Sequence, residues 1–548
     1  MLNRLAILVC NLFWLASCLP GWVAFAFAVR RPWRAQGRIW WRWRRDNADT
    51  AQGRHLDVAS CADEAAWRAK IPVQDYTAHA ADIAAAATGA PRQLTAEPVR
   101  LLEPTSGSTS GSKLIPYTAT LQAEFRRAIN PWIADLFLRH PRLLLGRHYW
   151  SVSPATPPPA APEGCTIPVG FASDAEYLGF LQRGLRNILF SVPDELRNVT
   201  DPEAHAWLTL RLLLADRRLG LISVWHPSFF LILLDAAVQQ RTSLVESLRT
   251  GVLPDTLNLP PELRRTLAAR FHAAPSRAME VNAALISGAD GFQSLWPSLT
   301  VISCWDQGRA AGDAVRLRQL FPDVLVQGKG LLATEGVVTI PWGDRHLCAV
   351  RSHYLEFEDC ELRTVHPIAE LVSGREYEPL LTTGGGLCRY RLGDRVRCLA
   401  TAPTPSLEFI ARTGVVCDLR GEKLHGEHVE NVLRDLEAGH SFSFAMLAPE
   451  TDGVGYVLFV EDPAERAPEA LTTGMEAGLC ANYHYTHARR LGQLRHVRVQ
   501  PVRDGMRIYR ETQECQGRCQ GAIKPPALSL VPHNDFGSCE KNNANTVC

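Results

Sequence analysis

Thr105-Ser106-Gly107-Ser108-Thr109-Ser110-Gly111-Ser112-Lys113, running on into Leu114-Ile115-Pro116, is the stretch on which the reading of this chain turns. Glycine lets backbone N–H groups approach closely. With the hydroxyls of Thr105, Ser106, Ser108 and Thr109 they can surround phosphate oxygens, while Lys113 supplies positive charge. The run is not a Walker loop, because the spacing and the Gly-Lys-Ser/Thr ending are absent. Taken alone, such a stretch reads more simply as a flexible surface loop. Its surroundings carry the phosphate reading further.

Upstream, residues 46–100 read as polar and Ala-rich helices, for example the run 78–89. A Pro-rich stretch at 154–162 is too extended for a helix, and 203–250 holds helical patterns, including an apolar-periodic run over 229–248. From about 299, β-rich runs at 299–303, 324–326 and 337–340 alternate with helices such as 314–320, which predicts a mainly parallel sheet with helical crossovers. Between 353 and 411 the runs HYLEF, EPLLTT, CRYRL and LEFIA crowd together as an antiparallel or mixed sheet. After Arg412-Thr413-Gly414 the pattern restarts with a helix near 427–437, a strand near 456–460 and a helix near 468–490. The expected fold class is therefore α/β. The expected organisation is a large domain over 46–412, a smaller α/β domain over 413–530 and a polar, disordered tail over 531–548.

A length of 548 residues corresponds to roughly three to four folding units at ~150 residues each. Hydrophobic residues at 46% and charged residues at 21% exclude wholesale disorder. Lys and Arg number 58 against 57 Asp and Glu, a net charge of +1, which argues against a nucleic-acid partner. The 15 cysteines are an odd number spread along the chain and suit reduced thiols in the cytoplasm. Cys515 and Cys519 lack a second ligand pair for zinc, and His425 with His428 reads as a helix start.

Residues 1–45 stand apart. Residues 5–29 carry no charge, long enough for a bilayer span, with Pro20-Gly21 in the middle to kink it or to divide it into two buried helices. Arg30, Arg31, Arg34, Arg38, Arg42, Arg44 and Arg45 follow without an acid among them, interleaved with Trp33, Trp40, Trp41 and Trp43. If 5–29 spans, the arginines mark the cytoplasmic side and the chain is attached to the inner face of a membrane. A helical hairpin packed on the catalytic domain is the rival. Leu15-Ala16-Ser17-Cys18 resembles a lipoprotein processing box, but the apolar run continues past Cys18.

Four further segments join the Ser/Gly run: Asn47-Ala48-Asp49-Thr50 with Gly53-Arg54; Trp296-Pro297 through Ala333-Thr334-Glu335-Gly336; Tyr390-Arg391-Leu392-Gly393-Asp394; and the pair Arg420-Gly421-Glu422-Lys423 and Gly521-Ala522-Ile523-Lys524-Pro525-Pro526. In this order they resemble the Gretchen Hagen 3 family of acyl-acid amido synthetases, a branch of the adenylate-forming superfamily, in a divergent form like its bacterial members. The likeness extends over roughly 46 to 528. Ser110 departs from the usual Gly, with Gly111 one place later, and Leu331 stands where plant members carry Tyr.

The resemblance implies a large adenylate-forming domain of mixed sheets with helical layers and a smaller, mobile C-terminal domain. It implies ATP and Mg²⁺, with a carboxylic acid and an amino acid or other amine as substrates. Thr105, Ser106, Gly107, Ser108, Thr109, Gly111 and Lys113 would hold phosphates, and Asp394 and Arg412 would contact ATP. Glu335, in a loop before a β-rich run, would hold Mg²⁺; otherwise it is a surface carboxylate. Asp394, placed at the end of the strand 388–392, would accept the ribose hydroxyls; otherwise it caps its turn. Lys524 and Lys423 would be catalytic, one in each of two conformations of the small domain. Transfer of the acyl group to coenzyme A, and a non-catalytic membrane-tethered protein of the same fold, remain as alternatives. Nothing in the pattern specifies an oligomeric state.

Overall fold

The computed structural model describes residues 2–105, 113–151, 164–170, 187–307, 310–412, 416–437, 442–462, 464–509 and 526–533. The Pro-rich stretch, most of the Ser/Gly run, Lys524 and the polar tail from 534 lie outside the described residues. The chain separates into two compact units: among the described residues, 2–105 and 114–412 make up the large one, and Lys113 groups with the residues from 416 onward in the smaller one.

In the large unit the strands Arg147–Trp150, Leu219–Ser223, Val301–Cys304 and Leu325–Gly328 lie in that order as a wholly parallel sheet. Most of its strand residues are buried, the two central strands entirely so, as in parallel sheets covered on both faces. One of these, Pro227–Gln239, starts at Pro227, where a missing N–H costs nothing, and His226 caps it by accepting from Ser228 N–H. The expected helix 229–248 is two, broken at Gln240, and Arg241–Thr250 ends on Gly251 in the left-handed conformation (φ 74°).

A second sheet closes the unit. Its strands run in the order Val365–Pro367, Tyr354–Asp359, Glu376–Thr382, Asp394–Ala400, Ser406–Arg412, Arg345–Cys348 and Thr339–Trp342, and every pairing is antiparallel. The short strand Tyr390–Arg391 pairs beside it with Glu376–Thr382. Asp394 is thus not the end of the strand expected at 388–392. Gly393 turns the chain at φ 80°, and Asp394 opens the next strand opposite Arg412.

The apolar N-terminus forms one helix, Leu2–Ala28, continuous through Pro20 and followed by Pro32–Asn47. The carbonyl that Pro20 cannot satisfy, that of Ala16, lies on the exposed face. The opposite face belongs to the core: Trp14, Cys18 and Phe25 pack with Phe125, Trp132 and Phe137 of the helix Ala119–Arg139. Asn11 is fully buried. Its amide donates to the carbonyls of Leu143, Leu144 and Gly146 at 3.2, 3.0 and 2.9 Å, and its oxygen lies 2.9 Å from His148 Nε2.

The smaller unit has a three-stranded sheet, Phe444–Pro449, Tyr456–Glu461 and Arg498–Pro501, with the helix Gly426–Glu437 on its core. The helix expected near 468–490 is two, Pro468–Leu479 and Tyr483–Arg490. Asn482 accepts from the N–H groups of His484 and Tyr485 and so begins the second.

Candidate functional site

The Ser/Gly run connects two antiparallel strands, Leu101–Pro104 and Leu114–Tyr117, with Pro104 opposite Leu114, so Thr105 and Lys113 stand at the mouth of a hairpin. Tyr76 O–H accepts from Leu114 N–H at 3.0 Å, and Tyr117 O–H donates to the Thr334 carbonyl at 2.6 Å. The exit strand of the loop is therefore tied to the turn that carries Glu335.

That turn is tight. Ala333 and Gly336 exchange N–H···O bonds of 2.9 and 3.2 Å, leaving Thr334-Glu335 at the tip between Leu332 and Val337. A Cβ at Gly336 would sit 2.9 Å from His353 Nε2, so only glycine fits. Glu335 is not the surface carboxylate of the sequence's alternative reading: it is 5% exposed. Tyr390 O–H donates to its Oε1 at 3.4 Å, and no described residue forms an ion pair with it. Buried carboxylates are otherwise paired or coordinate metals. The residues here fit a magnesium ion held by one carboxylate together with phosphate oxygens. No cluster of three or more His, Cys, Asp or Glu among the described residues makes a self-sufficient metal site.

Gly384-Gly385-Gly386 is a closely packed connection. A Cβ on Gly384 would lie 2.4 Å from Thr120 Cγ2, and one on Gly385 2.4 Å from the Pro116 carbonyl. Thr118 O–H donates to Gly384 O at 2.8 Å, and Gly384 N–H donates to Glu124 Oε2 at 2.8 Å, the same oxygen that lies 2.8 Å from His353 Nδ1. From this triplet the chain passes through Arg389, held against Glu356 at 3.0 Å, to Tyr390 and then to Asp394, which is buried. Arg391 pairs with Glu358 and Glu378, both at 2.5 Å, so within this motif it serves the sheet. Arg412 lies opposite Asp394 by backbone register.

Sequence reasoning passed over Lys329. It follows the strand Leu325–Gly328 and is buried at the carboxyl ends of the parallel strands. Its Nζ donates to Ser223 Oγ at 2.6 Å and faces the rings of Trp150, Trp132 and Trp225 at 5.0, 5.3 and 5.4 Å. Burial lowers its pKa to about 7. In open α/β sheets this edge is where ligands bind. The only local signal was a lysine between two glycines; the three tryptophans are far apart in sequence.

In the smaller unit, Lys423 sits at φ 44°, a strained conformation for a residue with a Cβ. Glu422 fixes it there. The Glu422 carboxylate accepts from Leu419 and Arg420 N–H, both at 2.7 Å, and from Tyr456 O–H, and Gly421 N–H donates to Asp418 at 2.7 Å. Burial, and then Asp418, raise the Glu422 pKa to about 7. Burial and the Lys423 charge push the neighbouring His484 imidazole down to about 3.

Three family models match in succession: the GH3 family N-terminal domain over residues 25–326, the central domain over 346–412 and the C-terminal domain over 427–533. The probable indole-3-acetic acid-amido synthetase GH3.12 of Oryza sativa subsp. japonica is 24% identical over 434 residues, 70% of this chain and 69% of that one. A GH3 domain-containing protein of Homo sapiens is 31% identical over 183 residues, 30% of this chain and 34% of that one. The solved structure of AtGH3.15 acyl acid amido synthetase in complex with 2,4-DB superposes with a TM-score of 0.65 at 18% identity, over 95% of each chain, and so shares the fold. With family models spanning most of its length and a shared fold, the chain belongs to the GH3 family.

Proposed function

We propose that this chain is an ATP-dependent acid–amino acid ligase that forms an acyl-adenylate and then an amide. The observation that carries this reading is Glu335: a buried carboxylate without a cationic partner among the described residues, set beside the exit strand of a Ser/Gly loop. In the first step an oxygen of the acid's carboxylate bonds to the α-phosphorus of ATP, and the bond to the bridging β-phosphate oxygen breaks as pyrophosphate leaves. In the second, the amine nitrogen bonds to the acyl carbon, AMP leaves and the amine's proton is released.

The protein's task in both steps is positioning and charge stabilisation. Thr105, Ser106, Gly107, Ser108, Thr109, Gly111 and Lys113 hold the phosphates, Asp394 accepts the ribose hydroxyls and Arg412 adds a positive charge near the nucleotide. Glu335 is the ligand for Mg²⁺, which when bound neutralises phosphate charge. Burial of Glu335, its bond from Tyr390 and the bond from Tyr117 to the adjacent Thr334 carbonyl support this ligand before ATP arrives. The organic part of the acid lies toward the carboxyl edge of the parallel sheet, where Trp150, Trp225 and Lys329 stand. Lys524 stabilises charge during adenylation, and Lys423 serves the second step.

Product analysis tests the assignment. Purified protein with ATP, Mg²⁺, a carboxylic acid panel and either amino acids or coenzyme A should give amide and AMP. Thioester as the only product would transfer the reading to the coenzyme A ligases.

A further inference from the structure

Two stripes run the length of the helix Leu2–Ala28. The buried one is described above. The other, with Leu5, Val9, Leu12, Phe13, Val23 and Phe27, is exposed and largely apolar, interrupted by Ser17, and reaches 63% exposure at Leu5 and 67% at Phe27. At ~1.5 Å per residue it is about 33 Å long. Contiguous apolar surface on this scale marks a binding face. The helix does not leave the protein to span a bilayer, because a span would strip Asn11 of its three carbonyls and His148.

The next helix, Pro32–Asn47, adds charge to this face. Arg31, Arg34, Arg38, Arg42 and Arg45 recur at helical spacing and are exposed, with Trp33 and Trp41 also exposed, at 54% and 53%. Arg30, Arg31, Arg34, Arg38 and Arg42 form no ion pair with any described residue. They line one side of a groove of about 620 Å³. Arg127 and Arg351 complete it, no acidic residue lines it, and Phe27 of the apolar stripe reaches into it. The guanidinium groups crowd one another: burial and then Arg127 lower the Arg351 pKa, and burial, opposed by Glu124, lowers that of Arg127 with Arg42 and Arg126 adding to the shift. Such an arrangement is completed by anions. Guanidinium matches phosphate in geometry as well as charge.

We propose that this face docks on an anionic phospholipid bilayer. The helix Leu2–Ala28 lies in the membrane plane with its outer stripe among the acyl chains, the two exposed tryptophans at the interface and headgroup phosphates in the arginine groove. A nucleic acid would satisfy the arginines but leave the 33-Å stripe, about that length by helix geometry, in water.

The test is vesicle co-sedimentation of the full-length protein with neutral phosphatidylcholine and with phosphatidylcholine–phosphatidylglycerol mixtures. Binding to the anionic vesicles should exceed that to neutral ones and weaken in high salt. Each exposed arginine near an anionic surface is worth roughly a fivefold change in partition, so Arg34→Ala with Arg38→Ala should lower it about 25-fold. Phe13→Ser with Phe27→Ser should lower binding to both vesicle types. All four sites are exposed, so melting temperature and turnover in solution should be unchanged, and these serve as folding controls. Equal binding to neutral and anionic vesicles, or no loss in the arginine variant, would overturn the headgroup site. Alkali-resistant insertion into vesicles would overturn the docked helix, and stronger binding to RNA than to anionic vesicles would overturn the lipid assignment.

Discussion

Glu335, which accepts from Tyr390 O–H and forms no ion pair with a described residue, bears most of the chemistry assigned to this site. Glu335→Gln keeps the shape and the tyrosine contact but removes the charge. It should abolish Mg²⁺-dependent adenylation while the melting temperature holds; normal turnover at saturating Mg²⁺ would remove Glu335 from the metal site. Asp394→Ala should weaken ATP binding. Hydrogen bonds to a charged group contribute ~1.5–3 kcal/mol, so titration calorimetry should show a loss of roughly 10- to 150-fold. Lys329 makes a prediction about pH. Burial holds its folded pKa at about 7, and the unfolded value is ~10.4. Between these values the unfolded chain binds the extra proton, so stability rises with pH; the cost is full below pH ~7 and vanishes above ~10. Lys329→Met should therefore raise the melting temperature over the parent most at pH 6, and the gain should shrink toward pH 10. An equal gain at both would show that the lysine does not titrate in this range.

Among the elements, the N-terminal helix separates what sequence can say from what it cannot. Its length and lack of charge are plain in residues 5–29, but both its stripes are apolar, so periodicity could not distinguish a docked helix from a span. In the structure Asn11 ties the helix to carbonyls more than 130 residues away, a contact no local pattern carries. Asn11→Leu should leave those carbonyls and His148 unsatisfied, at about 1–3 kcal/mol for each buried group, and thermal unfolding should show a lowered melting temperature. An unchanged melting temperature would mean that the helix is not part of the fold. The strands near 299–303 and 324–326 were readable because short β-rich runs alternate with helices there; the run at 337–340, expected with them in the parallel sheet, instead pairs antiparallel in the other sheet, where a tight turn at Gly343 folds it back on Arg345–Cys348. The boundary at Asp394 was not, since it depends on Gly393 at φ 80° and on pairing with Arg412. Lys329 escaped notice for a related reason: Trp132, Trp150 and Trp225 meet it only through the sheet.

At the scale of the molecule, the candidate site residues fall in two compact units. Glu335 and Asp394 belong to the large one and Lys423 to the small one, with Lys524 outside the described residues. The order of the motifs was legible because each is a short, charged or glycine-rich run; the packing around them was not. Adenylation and amide formation place charge differently, and the proposed mechanism assigns each half-reaction its own lysine. The most direct measurement is acid-dependent ATP–pyrophosphate exchange on the purified chain, run beside amide formation from chemically made acyl-adenylate. The parent should exchange only when a carboxylic acid and Mg²⁺ are present. Lys524→Ala should lose ~10²–10³ of that rate, the cost of one interaction with transition-state charge, while still converting supplied acyl-adenylate and amine to amide. No exchange with any acid in a broad panel, or exchange that does not require the acid, would contradict the account.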